Sequence, residues 1–144
     1  MVYQERTTWA TLIATIITVP VYVFVVLARA AGGPVTDVDW VPIMLWTMAA
    51  SIVGAIVISI VWGILAGMRD PSEVGTSDQR DRDISRFGNR LGYGVLVAGA
   101  LVALALSMIE ADWFWIGNAL FFGFALSTLV GDIARVVAYR RGLA

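Results

Sequence analysis

The sequence lacks three side chains on which much protein chemistry depends. Its 144 residues contain no cysteine, no histidine and no lysine, so that all ten cationic side chains are arginines. These absences exclude disulfide bonds, thiolate or imidazole metal sites, Ser–His and Cys–His nucleophile pairs, and lysine Schiff bases. The formal net charge of −1 offers no basic surface for a nucleic acid. We therefore expect no cofactor, no metal ion and no nucleic-acid partner.

Charged residues are scarce, and the gaps between them are long. Only 15% of the chain is charged and 59% is apolar, whereas a soluble domain is about a quarter charged. Four gaps hold at least 19 uncharged residues each, and a helix of that length spans about 28 Å, close to the roughly 30 Å hydrocarbon core of a bilayer. We predict an all-α fold, a single membrane domain over residues 1–144. It is a bundle of two helical hairpins, with transmembrane helices near 8–30, 40–67, 87–109 and 112–138.

The arginines predict the orientation of these helices. Nine of the ten fall in or next to segments 1–7, 68–86 and 133–144, and arginine-rich segments stay in the cytoplasm. Both termini and the loop 68–86 are therefore predicted to be cytoplasmic, with Trp40, Trp113 and Trp115 at the outer interface. The first segment could instead be a signal peptide cleaved near Ala28-Arg29-Ala30, but its apolar run is long for a signal, which favours a retained helix.

The first helix carries a polar stripe. Its spacing of three and four residues places all members on one helical face, and the members are Thr8, Thr11, Thr15, Thr18, Tyr22 and Arg29. Such a face lines a polar cavity or bonds to its own carbonyls and to a neighbouring helix. The second interpretation needs no ligand and is favoured.

Asp132 is the one carboxylate within a predicted span. An ion pair near the inner interface with Arg135 and with Arg90 (or Arg86) is favoured over a functional acid. Four further acids form a predicted outer carboxylate rim, consisting of Asp37, Asp39, Glu110 and Asp112. Carboxylates bind hard cations, but no ligand-loop spacing is present, and Asp39 and Asp112 are expected to cap helices. The rim is therefore not predicted to hold a metal.

Small residues recur at helical spacing in three of the four helices. They are Ala50, Gly54, Gly63 and Gly67 in the second, Gly88 and Gly92 in the third, and Gly123, Ser127 and Gly131 in the fourth. Such residues allow helix backbones to approach closely. They serve either the packing of the bundle or a homodimer.

The run Ser77–Ile84 (SDQRDRDI), which enters a membrane helix after a helical hairpin, resembles an uncharacterised family of small four-helix prokaryotic membrane proteins. The family carries an Asp-Glu-Arg-Asp/Glu-like run at this point, and Gln79 replaces its Glu here. The resemblance implies an integral protein of the prokaryotic cytoplasmic (inner) membrane and supplies no catalytic residues. Small multidrug-resistance transporters share the four short helices. Their proton-coupling Glu in the first helix has no counterpart in this chain.

Three functions follow as hypotheses. The first is a non-catalytic membrane interaction or accessory module, embedded in the lipid bilayer. Its partner is a second copy or another membrane protein, contacted through the inner loop. The alternative is a small-solute transporter or channel subunit that uses the polar stripe. The third, a membrane enzyme acting through Glu110, Asp112 or Asp132, lacks a second catalytic group beside these acids.

Overall fold

The computed structural model describes residues 3–68 and 79–141, and within them the chain is helical. The four long helices are α1 (Tyr3–Ala30), α2 (Trp40–Gly67), α3 (Gln79–Met108) and α4 (Trp113–Arg141), and a short 3-10 turn covers Val35–Asp37. All four are long and apolar enough to cross a membrane. The predicted all-α class with four such helices is confirmed.

Three helices reach further than the predicted spans. α2 covers 40–67 as predicted, but α1 and α3 begin five and eight residues early and α4 ends three residues late. The sequence-based spans end at charged residues, whereas backbone hydrogen bonding continues beyond a hydrocarbon boundary. Of the predicted inner loop 68–86, residues 79–86 belong to α3, and residues 69–78, with Arg69, lie outside the described residues.

The helices form a row in the order α2, α1, α4, α3. α1 packs against α2 and α4, α4 packs closely against α3, and the other helix pairs meet only marginally. Neighbouring helices are antiparallel. One end of the row, which we call the arginine end, is where α1 and α3 begin and α2 and α4 finish. The opposite end, the loop end, holds the connections 31–39 and 109–112.

Glycines explain the close packing of α3 against α4. A Cβ added at Gly99 would lie 2.7 Å from the Cα of Gly123, and one added at Gly92 would lie 2.8 Å from the carbonyl oxygen of Ser127. The Ser127 hydroxyl donates a 2.8 Å hydrogen bond to the Gly92 carbonyl. Since only glycine permits this approach, the small residues of α3 and α4 serve the hairpin. In α2, by contrast, a Cβ added at Gly63 meets nothing within 4 Å.

An aromatic cluster fills the centre of the row toward the loop end. It consists of Tyr22, Val26, Trp40, Phe114 and Phe121. Trp40, predicted at the outer interface, is only 5% exposed. Its ring lies 4.9 Å from that of Trp113 and 5.7 Å from that of Phe114. Gly117 leaves the space that the Trp40 ring occupies, which is why this tryptophan is buried, while Trp113 and Trp115 are exposed.

The end of α3 is a Schellman turn with glutamate in the position that favours glycine. The Ala111 N–H bonds to the Leu106 carbonyl and the Glu110 N–H to the Ser107 carbonyl, and Glu110 has a φ of +54°. A left-handed conformation costs a residue with a Cβ about 1 kcal/mol.

We therefore expect Glu110→Gly to raise the free energy of unfolding by about 1 kcal/mol, measured by unfolding in detergent micelles. Ala111→Gly, one residue further on and outside the left-handed region, should give no gain. Equal effects of the two substitutions would contradict this explanation.

Candidate functional site

A network of polar side chains joins three helices near the arginine end. Asp132 of α4 is 1% exposed. Its carboxylate accepts a 2.6 Å hydrogen bond from the Thr11 hydroxyl of α1 and a 2.5 Å charged hydrogen bond from Arg135 Nη1. Arg135 Nη2 donates a 2.6 Å bond to the Asn89 side-chain oxygen of α3. The buried carboxylate is thus paired and hydrogen-bonded, as a buried charge requires.

Arg90, predicted to face Asp132, is exposed, and the third helix supplies Asn89 instead. The reason is helical phase. Gly88 and Gly92 face α4, and Asn89 lies beside Gly92 on that face, whereas Arg90 is about 200° away from Gly88 around the helix. The spacing of Gly88 and Gly92 therefore indicates which face of α3 meets α4, and that face includes Asn89.

A polar pocket lies beside this network. It has a volume of about 250 Å³ and is lined by Thr7, Thr8, Thr11, Ser85, Asn89, Arg135 and Tyr139. Sequence reasoning singled out only Thr8, Thr11 and Arg135 of this set. Thr7, Ser85 and Tyr139 were missed because each looks like an ordinary polar residue at the end of its helix.

The polar stripe of α1 is buried or half-buried except for Arg29, and its members meet different surroundings. Thr8 and Thr11 line the polar pocket, while Thr15 and Thr18, further along the same face of α1, line a groove bordered by α2 and α4. Tyr22 is inside the aromatic cluster, where its hydroxyl donates a 2.7 Å bond to the Asn118 side-chain oxygen. Thr18 bonds its own helix, donating to the Ala14 carbonyl at 2.8 Å.

The groove that contains Thr15 and Thr18 has a volume of about 380 Å³. We call it the hydroxyl groove, because hydroxyl and small side chains from α1, α2 and α4 are distributed along it. Those members are Thr15, Thr18, Thr47, Ser51, Gly117, Ala125 and Thr128.

The residues of the predicted carboxylate rim, Asp37, Asp39, Glu110 and Asp112, are each exposed at the loop end. Asp112 caps α4, accepting a 2.8 Å bond from the Phe114 backbone N–H. Within residues 3–68 and 79–141, no three acidic side chains come close enough to hold a metal ion. Asp132 lies twenty residues along α4 from Asp112, a distance of about 30 Å, so that these acids form no common site.

Charge is distributed unevenly between the two ends. In the described part of the chain the loop end carries Arg29 with the four rim acids. The arginine end carries four acids and eight arginines: Glu5, Asp81, Asp83 and Asp132, with Arg6, Arg80, Arg82, Arg86, Arg90, Arg135, Arg140 and Arg141. The polar pocket therefore lies at the positive end of the molecule.

The network consists of one buried ion pair and the hydroxyl and amide groups bonded to it. Both oxygens of Asp132 already accept hydrogen bonds, and acid–base catalysis would need a group positioned to exchange a proton with a substrate. The chain matches no known protein family, no curated protein and no solved structure.

Proposed function

We propose that the chain is a multi-pass membrane protein that acts as a non-catalytic interaction module and that pairs with a second copy of itself. The four apolar helices support insertion in the bilayer. The excess of arginine at one end supports a cytoplasmic position for that end and for both termini. The family resemblance of the run Ser77–Ile84 supports the cytoplasmic membrane of a prokaryote as the location.

The hydroxyl groove carries the proposal. Because α2 barely meets α4 along the row, the groove stays open beside α1. At mid-span it is lined by small and hydroxyl-bearing side chains together with larger apolar ones such as Met44, Leu120 and Phe124. Helices associate in lipid through such surfaces, since small side chains allow close backbone contact. The inner loop, predicted as the contact surface, lies mostly outside the described residues, and the groove takes its place in the proposal.

Three of the five hydroxyls that line the groove are bonded within the chain and do not need a permeating solute. These three threonine hydroxyls donate to the backbone carbonyl four residues earlier in their own helix. They are Thr18 to Ala14 at 2.8 Å, Thr47 to Ile43 at 2.8 Å and Thr128 to Phe124 at 3.1 Å. Each hydroxyl is thus satisfied within its own helix.

The transporter alternative has less support, because the stripe that would line its path runs into the aromatic cluster at Tyr22. This tyrosine is 1% exposed, and its ring lies 4.7 Å from that of Phe121. A solute following the stripe would have to displace these packed rings.

Cysteine cross-linking tests the proposal directly, because the natural chain has no cysteine. Ser51→Cys and Thr128→Cys each place a single thiol on the hydroxyl groove. In native membranes, oxidation should convert most of either variant to a disulfide-linked dimer. The readout is the dimer fraction on a non-reducing gel.

Leu101→Cys provides the matched control, since Leu101 is 59% exposed on α3, away from the groove, and should cross-link far less. When Ser51→Phe, which fills the groove, is added to the Thr128→Cys variant, the cross-link should be abolished. Equal cross-linking at all three positions, or none at the groove, would refute the proposed interface.

A further inference from the structure

Several side chains of the polar pocket hold hydrogen-bond donors with no partner among the described residues. Arg135 has five N–H donors, of which the described hydrogen bonds use two, and the Asn89 amide nitrogen and the Ser85 hydroxyl donate no bond within the described residues. Asp132 does not line the pocket, and both of its oxygens are engaged. The Asp81 carboxylate, also outside the lining, accepts a hydrogen bond from the Tyr139 hydroxyl. A ligand that fits this pocket must therefore accept hydrogen bonds.

The depth of the pocket in the bilayer follows from counting residues along three helices. A hydrocarbon core of roughly 30 Å corresponds to about 20 helical residues. Counted from the loop end, the twentieth residue is Thr11 in α1, Asn89 in α3 and Asp132 in α4. The network and the pocket therefore lie at one level, where the hydrocarbon gives way to the headgroups at the arginine end.

From these observations we infer that the polar pocket binds the phosphate group of an anionic phospholipid. A guanidinium with hydroxyl and amide donors is the usual recognition set for a phosphate oxygen, and basic pockets between helices bind anionic headgroups at the cytoplasmic surface. The surplus of arginine at this end attracts such a ligand. A volume of about 250 Å³ admits a phosphate with a small headgroup. The inference rests on the membrane insertion proposed above and does not require the dimer.

The test is native mass spectrometry of the purified full-length chain in neutral detergent. Phosphatidylglycerol and phosphatidylcholine are added at equal concentration in parallel samples. We expect one phosphatidylglycerol to be retained per chain, at least tenfold more tightly than phosphatidylcholine. Equal retention of the two lipids would overturn the inference.

Asn89→Asp is the informative variant. An aspartate at position 89 keeps an oxygen for Arg135 Nη2, so that the network is preserved, but it adds a negative charge inside the pocket. Retention of phosphatidylglycerol should fall at least tenfold. Arg90→Gln lowers the net charge by the same amount on an exposed neighbour and should change retention less than twofold. Similar losses in both variants would show only general attraction to the arginine end and would overturn the site.

A second variant and a competitor complete the experiment. Ser85→Leu fills the pocket with apolar volume and should reduce retention as strongly as Asn89→Asp, while the helical circular dichroism stays unchanged. Inorganic phosphate at millimolar concentration should leave the lipid bound. If it displaces phosphatidylglycerol, the site belongs to free phosphate and the lipid assignment is wrong. Cross-linking at Ser51 and Thr128 is measured separately from lipid retention. A failure of the lipid-binding proposal can therefore be distinguished from a failure of the proposed dimer.

Discussion

Replacing Asp132 with alanine is expected to lower the free energy of unfolding by about 3 kcal/mol. The substitution leaves Arg135, whose side chain is 23% exposed, without its counter-charge, and it removes the acceptor of the Thr11 hydroxyl. Loss of one partner from a buried ion pair costs about 3 to 5 kcal/mol. The low end of this range applies here because Arg135 retains its hydrogen bond to Asn89. Unfolding in mixed micelles, followed by far-ultraviolet circular dichroism, measures the change.

The chain contains its own control for this experiment. Asp83 and Arg86 form an ion pair at the same spacing, but at 3.6 Å and with exposed side chains. Exposed pairs contribute about 0 to 1 kcal/mol, so that Asp83→Ala should be nearly silent. The double substitution Asp132→Leu with Arg135→Met should recover much of the loss, since apolar replacement of a whole buried pair is often neutral. Equal costs for Asp83→Ala and Asp132→Ala would contradict the assigned burial of the pair.

The second large effect is expected at the interface of α3 and α4. Gly99→Ala places a methyl group 2.7 Å from the Cα of Gly123, a backbone atom that cannot move without separating the two helices. Overpacking of this kind costs about 1 to 3 kcal/mol. We therefore expect a loss of about 2 kcal/mol in the same unfolding measurement.

Gly94 on the same helix is the matched position, since a Cβ added there meets nothing within 4 Å. Gly94→Ala should leave stability unchanged or raise it by up to about 1 kcal/mol, the difference in helix propensity between the two residues. If both alanines had the same effect, the close approach at Gly99 would not be limiting.

The individual partners of the polar groups were harder to predict than the helices. Thr11, Asp132 and Arg135 stand out in the sequence, but their mutual contacts depend on which helix is the neighbour. The attraction between a carboxylate and an arginine predicts Arg90 as a partner of Asp132, whereas the glycine-determined phase of α3 turns Asn89 toward Arg135. Trp40 is predicted at the outer interface by residue type, and the structure adds that its ring is buried beside Gly117 among other aromatic side chains.

The sequence by itself determined the four helices, because long uncharged runs can satisfy their backbone hydrogen bonds only within each segment. It also determined the charge difference between the two ends, which depends only on where the arginines occur along those segments. The tertiary structure decided the order of the row, the pocket beside Asp132 and the open hydroxyl groove. These features arise from contacts between residues far apart in the chain, where the rotation of each helix selects which side chains meet.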